Sequence, residues 1–497
     1  MKILLVPLDD RPVTYTYPQL VARCAGLETM APPRSLMGSL SRGAQIEELF
    51  SFVENSLRHE PDALVIALDS LLYGGLITSR RTTETLKTIQ GRLDRLKKWK
   101  EMCGKGIPIY CQSSIMRISD NYDNTEEKEY WSRFGRELFE WSSCMHRLSA
   151  GEKLTAGLLQ ALERRIPADI RQDYLATRFR NFSINQAALK AVEEGCLDHV
   201  TFSQDDSGTW GLNVGEKNRL IAMSEQLNLQ DKVSVYAGAD EVTVALISKL
   251  IADRCLKKKP SIEVHFSPDG AATSAIASRY EGQDIGTTTI TQLQASGAAF
   301  TITAGLPKEI ADITMIVHGP QEKQGDHITL PGLPDLSQMD TNRSVERTLA
   351  LIKESTKPVL LCDVAYANGG DPALMEELIQ NPELLAKLCA YAGWNTTGNT
   401  IGSALGTAIA NFAHSGRSTD AGNEYHKRCL FTRLADDWAY QTKVRKQLDS
   451  DPSTQKLAEL ISPYIKRISS ALGFEPSVRL SFPWRRTFEI EIGFEGN

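Results

Sequence analysis

The phrase His199-Val-Thr-Phe-Ser-Gln-Asp205-Asp206-Ser-Gly-Thr-Trp210-Gly211 sets two carboxylates side by side. Like charges in contact repel, which raises the proton affinity of at least one and leaves an acid beside a base. Glycosidic cleavage needs that combination, one carboxyl group protonating the leaving oxygen while another stabilises or attacks the sugar carbon. The plain structural reading of Asp-Asp-Ser-Gly is a helix N-cap. Recurrence along the chain favours chemistry, because Asp9-Asp10-Arg11, Asp69, Asp240, Asp363 and Asn395 each follow an apolar run as well. A pyranose presents hydroxyls that want acceptors and donors, and a CH face that stacks on an aromatic ring. Asp9, Asp10, Arg11 and Asp69 are candidates to grip hydroxyls, and Trp210 or Trp394 to stack. Tyr73, Asp240, Asp363, Asn368, Asn395 and Asn399 complete the candidate substrate-binding set. Some have a structural alternative: a salt bridge between Asp10 and Arg11, a helix-dipole role for Asp240, a core position for Trp394.

These residues need elements to position them. Apolar and β-branched runs predict strands near residues 3, 63, 107, 199, 233, 313, 358 and 388, and each acid stands where such a run stops. In parallel α/β proteins the carboxyl ends of strands form the ligand-binding face. Helical spacing is present at 46–57, and a basic amphipathic helix at 82–102 reads as a solvated face. Residues 119–195 read as a helical insertion on the strand-end face, with Tyr122, Tyr130, Trp131 and Trp141 available to wall a site. Setting 257–310 aside as an inserted α/β element leaves eight strands, the count of a (β/α)8 TIM-like barrel. The barrel would comprise 1–256 and 311–413, followed by a mainly helical extension at 414–497. The alternative is two doubly wound domains meeting near 257. A barrel gathers Asp9, Asp69, Asp205, Asp240, Asp363 and Asn395 into one bowl, whereas two sheets divide them between two clefts.

Composition narrows the class. The 497 residues are 41% hydrophobic and 24% charged with net charge −6, so no basic excess is present to hold nucleic acid or anionic lipid. No run of apolar residues is long enough for a membrane span, and the short run at the N-terminus meets acids at once, which points to a cytoplasmic protein. Nine cysteines without Cys-x-x-Cys spacing fit reduced thiols, and eight scattered histidines offer no metal motif, so no cofactor or metal is expected.

Two resemblances follow from the quoted phrases. LDDRP, LDSLLYGG, QDDSGTWG, ANGGD and AYAGWNTTGNT together resemble a bacterial family known as a domain of unknown function, over nearly the whole chain. That resemblance implies no activity. A strand ending in Asp-Asp with a later Trp-Asn phrase is also similar to the retaining N-acetylhexosaminidases that use the substrate's acetamido group as nucleophile. This second resemblance implies a (β/α)8 barrel, with Asp205 orienting the acetamido group, Asp206 acting as acid and then base, and Asn395 hydrogen-bonding near the reacting centre.

The resulting expectation is a retaining glycoside hydrolase acting on small saccharides through Asp205 and Asp206. A metal-dependent sugar isomerase or phosphoryl-transfer enzyme would use the same acids as hard oxygen ligands. A non-catalytic sugar-binding protein is the third reading.

Overall fold

The computed structural model describes residues 1–103, 106–153, 156–205, 207–308, 310–329, 334–415 and 420–495. Its strands, in chain order, are β1 (Lys2–Val6), β2 (Glu28–Met30), β3 (Ala63–Ala67), β4 (Ile109–Ile115), β5 (His199–Gln204), β6 (Val233–Ala237), β7 (Ser261–Ser267) and β8 (Ala299–Ile302). They continue with β9 (Ile313–His318), β10 (Gly325–Asp326), β11 (Val359–Asp363), β12 (Tyr366–Ala367), β13 (Leu388–Ala392), β14 (Val478–Ser481) and β15 (Glu491–Phe494).

The chain is α/β and folds as two compact units. The first comprises Met1–Asp10, Glu28–Leu246 and Tyr280–Gly282. It holds a parallel sheet of order β2-β1-β3-β4-β5-β6. Strand β3 is buried at every residue, as helices on both faces of a parallel sheet require. The predicted helix at 46–57 is Ile46–Leu57, which buries Leu49, Phe50 and Val53. Phe50 meets Trp99 of the helix Leu86–Cys103 at 5.3 Å between ring centroids. Burial of each such side chain contributes roughly 1.5–3 kcal/mol. Between β4 and β5 run three helices, Trp131–Ser149, Ala156–Arg165 and Ala168–Glu193. Trp131, Leu138, Trp141 and Tyr174 form a core of their own there.

The second unit comprises Arg11–Leu27, Ile247–Arg279 and Gln283–Asn497. Its parallel sheet has the order β13-β11-β9-β7-β8. Counted in the order the chain makes them, both sheets run 2-1-3-4-5, the first adding a sixth strand. In such open sheets the strand order reverses beside the first strand, and the crevice outside the carboxyl ends at that point is where ligands bind. The reversal lies between β1 and β3 in one sheet and between β7 and β9 in the other.

A closed barrel is therefore not the architecture. Closure requires the first and last strands to pair, and here β2 and β6 edge one open sheet while β13 and β8 edge the other. The segment 257–310 is no insertion, since β7 pairs with β9 from Ile262↔Ile313 to Ser267↔His318 and lies inside the second sheet, between β8 and β9. Nor is 414–497 an appendage. Trp438, Ile461 and Ile490 pack into one core with Val359 and Leu361 of β11. Among the described residues no helix is long and apolar enough to cross a membrane.

Candidate functional site

At the carboxyl edge of the first sheet, β3 runs directly into the short helix Leu68–Tyr73 and places Asp69 in its first turn. Asp69 Oδ2 accepts the Ser114 N–H at 3.0 Å, joining the ends of β3 and β4. The Ser70 hydroxyl lies 2.6 Å from the Pro7 carbonyl and 2.7 Å from that of Leu8, tying in the end of β1. Burial pushes the Asp69 carboxyl up to about 6, against hydrogen bonds from Ser114 and the charge of Arg80, which favour the anion. A Gly74-Gly75 turn, with Gly75 at φ +130°, starts the next helix, Leu76–Arg81, which delivers Arg80.

Arg80 and Arg117 organise the residue after β5. Arg80 Nη2 lies 2.7 Å from Asp205 Oδ2, and Arg117 Nη1 lies 3.6 Å from the same oxygen. Arg117 Nε also meets Glu127 Oε1 at 2.7 Å, and each arginine approaches Glu126. Two guanidinium groups thus serve three carboxylates. Arg80 is 1% exposed and Asp205 18%, so the network is anchored inside and opens at Asp205. Asp206 lies outside the described residues. Beyond it, Trp210 packs against His146 of the insertion at 5.0 Å. Burial holds His146 below its ordinary value, so its Nδ1 is available to accept the Gly211 N–H at 3.2 Å.

Of the other candidates on this sheet, Asp9, Tyr73 and Asp240 are buried and Asp10 is half-buried. Asp9 follows β1, and the Asp10 N–H donates to the Gly38 carbonyl at 3.0 Å. Tyr73 lies under the Arg180 guanidinium, 5.6 Å from its ring centroid. Asp240 is buried beside Glu241, whose carboxylate accepts the Ala239 N–H at 2.9 Å. A cavity of about 610 Å³ opens where the insertion meets the end of helix Leu76–Arg81, with Arg81, Glu127, Tyr130, Ile170 and Asp173 among its walls. That is the size of a small-molecule site. Of the four aromatics expected to wall a site, Tyr130 lines this cavity, whereas Trp131 and Trp141 are core and Tyr122 is exposed.

Several polar groups here escaped the sequence reading. In register across β4 and β5 lie Tyr110 and His199, Gln112 and Thr201, Ser114 and Ser203, all buried. Alternation of polar with apolar residues along both strands was the available signal, masked by the expectation that a buried strand is apolar throughout. The amide of Gln204, at the end of β5, has no hydrogen-bond partner among the described residues on either of its polar atoms. Arg80 had a fainter signal, an arginine in a short helix whose other residues are mostly buried.

The remaining candidates belong to the second unit. Asp363, at the end of β11, accepts the Asp371 N–H at 2.7 Å and lies 3.4 Å from the Tyr391 hydroxyl. Asp371 faces His318 Nε2 at 3.0 Å. Ser267 donates to the Ser344 carbonyl, which leaves it to accept from Thr348; the Thr348 oxygen then accepts from His318 Nδ1 at 2.8 Å. Both ring nitrogens are therefore placed to donate, which favours the imidazolium form of His318. Burial alone would lower its proton affinity, but the Asp371 bond and the charges of Asp363 and Asp371 reverse that and raise it. Burial likewise raises Asp363, beyond the relief His318 gives. In Asp371 the hydrogen bond and charge of His318, with bonds from Thr341 and Ala373, outweigh burial and lower it.

Asn368, at φ +62°, donates Nδ2 to Asp326 at 2.9 Å and its N–H to the Asn395 carbonyl at 2.8 Å. Asn399 is buried in helix Thr397–Ser415. Trp394 is 3% exposed with its ring 5.5 Å from that of Phe488, the packing role named as its alternative. Arg11 lies 4.9 Å over the ring of Trp484. Asp205 and the Trp394-Asn395 phrase, which together resemble the hexosaminidases, thus follow strands of different sheets. Among the described residues no group of three or more His, Cys, Asp or Glu side chains is placed to hold a metal ion.

No curated protein matches the chain. Among solved structures, the C2-type ketoreductase from a modular polyketide synthase is 9% identical with a TM-score of 0.22, over 84% of this chain and 79% of that one, a likeness too slight to argue from. The model of the family described as protein of unknown function (DUF4127) matches residues 3–493, and the chain belongs to that family.

Proposed function

We propose that this protein is a glycoside hydrolase acting on small saccharides in the cytoplasm, with its reacting centre at the carboxyl ends of β3, β4 and β5. The observation that carries the reading is the half-open Asp205 carboxylate, held by two arginines on the sheet edge that also bears Asp9, Asp69 and Asp240. A carboxylate fixed in this way is set to stabilise positive charge developing on a sugar carbon, without reorganising when the bond breaks. In the retaining scheme Asp205, or a substrate acetamido oxygen that it orients, bonds the anomeric carbon as Asp206 protonates the leaving oxygen; Asp206 then takes a proton from the water whose oxygen displaces that bond. Asp9 and Asp69 accept from sugar hydroxyls, and the neighbouring cavity, with Tyr130 in its wall, receives the rest of the saccharide.

A screen of aryl glycosides, amino sugars included, tests this. Turnover of at least one aryl glycoside is expected, and it should survive EDTA. Asp205→Asn should lower kcat by roughly 10²–10⁴-fold with the fold intact. A blank screen, or full activity in Asp205→Asn, removes the proposal; activity abolished by EDTA would turn the same acids into metal ligands.

A further inference from the structure

We infer that the turn Tyr280–Gly282 is a strap that holds the segment after β5, and that Ser207 and Gly282 are positioning residues for the carboxylates beside it. The positioning role rests on the hydrolase reading; the strap itself rests on geometry alone. Residues 277–284 turn back on themselves, with Ala277 bridged antiparallel to Asp284 and the Ser278 N–H donating to the Gln283 carbonyl at 2.8 Å. The tip of that turn, Tyr280–Gly282, is part of the first unit, although it follows β7 in the chain.

Ser207, second in sequence after Asp205, meets the tip twice. Its N–H donates to the Tyr280 carbonyl at 2.7 Å, and its hydroxyl donates to the Glu281 carbonyl at 3.0 Å rather than to the Gly208 carbonyl at 3.4 Å. Ser207 and Glu281 are buried, so an unmade bond there would leave polar groups without water. Gly282, at φ +64°, lies against the next residues of the segment: a Cβ there would stand 2.4 Å from the Gly208 oxygen and 3.1 Å from the Thr209 nitrogen. Both are backbone atoms, which cannot rotate aside. Tyr280 takes φ +68°, a region that bulky residues rarely adopt and keep only where their surroundings fix it.

The strap is the middle of three holds on this segment. Before it, Asp205 is gripped by Arg80 and Arg117. After it, the Gly211 N–H donates to His146 Nδ1 at 3.2 Å and the Leu212 N–H to the Ser142 hydroxyl at 2.8 Å. Asp206 stands in sequence between the first hold and the second, so the Ser207 bonds set where the chain goes directly after the carboxylate pair. A reacting group misplaced by about 1 Å can lose about a hundredfold in rate. A methyl group on Gly282 would drive the Gly208 carbonyl back by about that distance before ordinary van der Waals contact is regained.

Gly282→Ala in the full chain tests the strap, with Gly270→Ala as its control, because Gly270 has a comparable φ of +55° and open space around a Cβ. Both variants should fold with a lowered melting temperature, since alanine strains the backbone at each. Hydrogen–deuterium exchange over residues 203–212 should quicken roughly fivefold or more in Gly282→Ala and keep the parent's rate in Gly270→Ala. On the aryl glycoside found in the screen, Gly282→Ala should lose roughly tenfold or more in kcat with KM nearly unchanged, and Gly270→Ala should stay within about twofold in both. Ser207→Ala should show the same pattern at smaller size, and Ser207→Thr, which keeps the hydroxyl, should restore the parent's behaviour. Should Gly282→Ala fail to fold, the Ser207 pair decides. Unchanged exchange over 203–212 in Gly282→Ala, equal losses in the two glycine variants, or a threonine variant no better than the alanine one overturns the inference. Exchange is read without turnover, so a blank aryl-glycoside screen would sink the hydrolase reading alone, and full turnover despite faster exchange would sink the positioning role alone.

Discussion

The two sheets are built in the same strand order, yet they spend the acids at their carboxyl ends differently. At the reversal point of the first, β1 and β3 lead to Asp9 and Asp69, and further along the edge Asp205 is held by arginines and remains 18% exposed. At the reversal point of the second, β7 and β9 end in Ser267 and His318, both wholly buried and linked through Thr348. Next to them Asp363 and Asp371 are closed off by His318, Tyr391 and backbone N–H groups. A strand-end acid thus stays partly open to solvent at Asp205 in one sheet and is an internal fastening at Asp363 in the other. What separates the cases is the partner, a long arginine reaching an opening or short side chains that seal the group inside.

The sharpest way to break this comparison is to remove a fastening. Asp371→Ala leaves the His318 imidazolium buried without its main counter-charge and strips the cap from helix Pro372–Gln380. Loss of one member of a buried ion pair costs about 3–5 kcal/mol, and urea denaturation should show a loss of that order. The pH dependence sharpens it. Because His318 binds its proton more tightly folded than unfolded, its contribution is full below its ordinary value of 6.5 and is lost as pH rises through the folded value. Asp371, lowered by the same partner, contributes above its ordinary 3.8 and loses that as pH falls through its folded value. The destabilisation should therefore be largest between pH 4 and 6.5 and shrink at alkaline pH. A variant as stable as the parent at pH 6 would end the fastening interpretation.

Asp69 predicts a change of the opposite sign. Its folded value of about 6 lies above the ordinary 3.8, so the folded chain loses stability as pH rises from 3.8 through 6. Asp69→Asn cannot ionise and can still accept the Ser114 N–H. It should be more stable than the parent at pH 7.5, by on the order of 3 kcal/mol, and no more stable at pH 3.5. If the first sheet carries the site, that gain comes with lost turnover, the exchange expected where function keeps a strained group. A gain in stability with full activity would make Asp69 another fastening.

Much of this was legible in the sequence. Continuous apolar runs such as 63–67 and 359–362 gave away the buried strands, and the residues after them gave away Asp9, Asp69, Asp205 and Asp363. Pairing was not legible, because hydrogen bonds between strands join residues far apart in the chain. β2 is only three residues long, and β7, which reads in sequence as part of an insertion, is an interior strand of its sheet between β8 and β9. The direction a strand-end acid turns was equally hidden. Asp363 and Asp205 both follow strands, and nothing local distinguishes the one that meets Tyr391 in the interior from the one that meets Arg80 near an opening. Arg80 itself contacts Asp205 across 125 positions of sequence, a pairing that only the fold creates.

The smallest effect compares two glycines placed after strands of the two sheets. Gly75, at φ +130°, follows β3 and the helix Leu68–Tyr73; Gly270, at φ +55°, follows β7. Neither lacks room for a methyl group, since the nearest atom to a Cβ would be 3.8 Å away at Gly75 and nothing lies within 4 Å at Gly270. Alanine at either position therefore pays only for backbone conformation, about 2 kcal/mol in such sparsely populated regions. The difference should appear in function. Gly75→Ala disturbs the turn that starts helix Leu76–Arg81, so Arg80 shifts from Asp205 and turnover of the aryl glycoside found in the screen should fall at least tenfold. Gly270→Ala should show a similar drop in melting temperature and leave turnover within twofold. Equal losses of activity in the two variants would mean that both edges serve the reaction and that the contrast between the sheets is structural only.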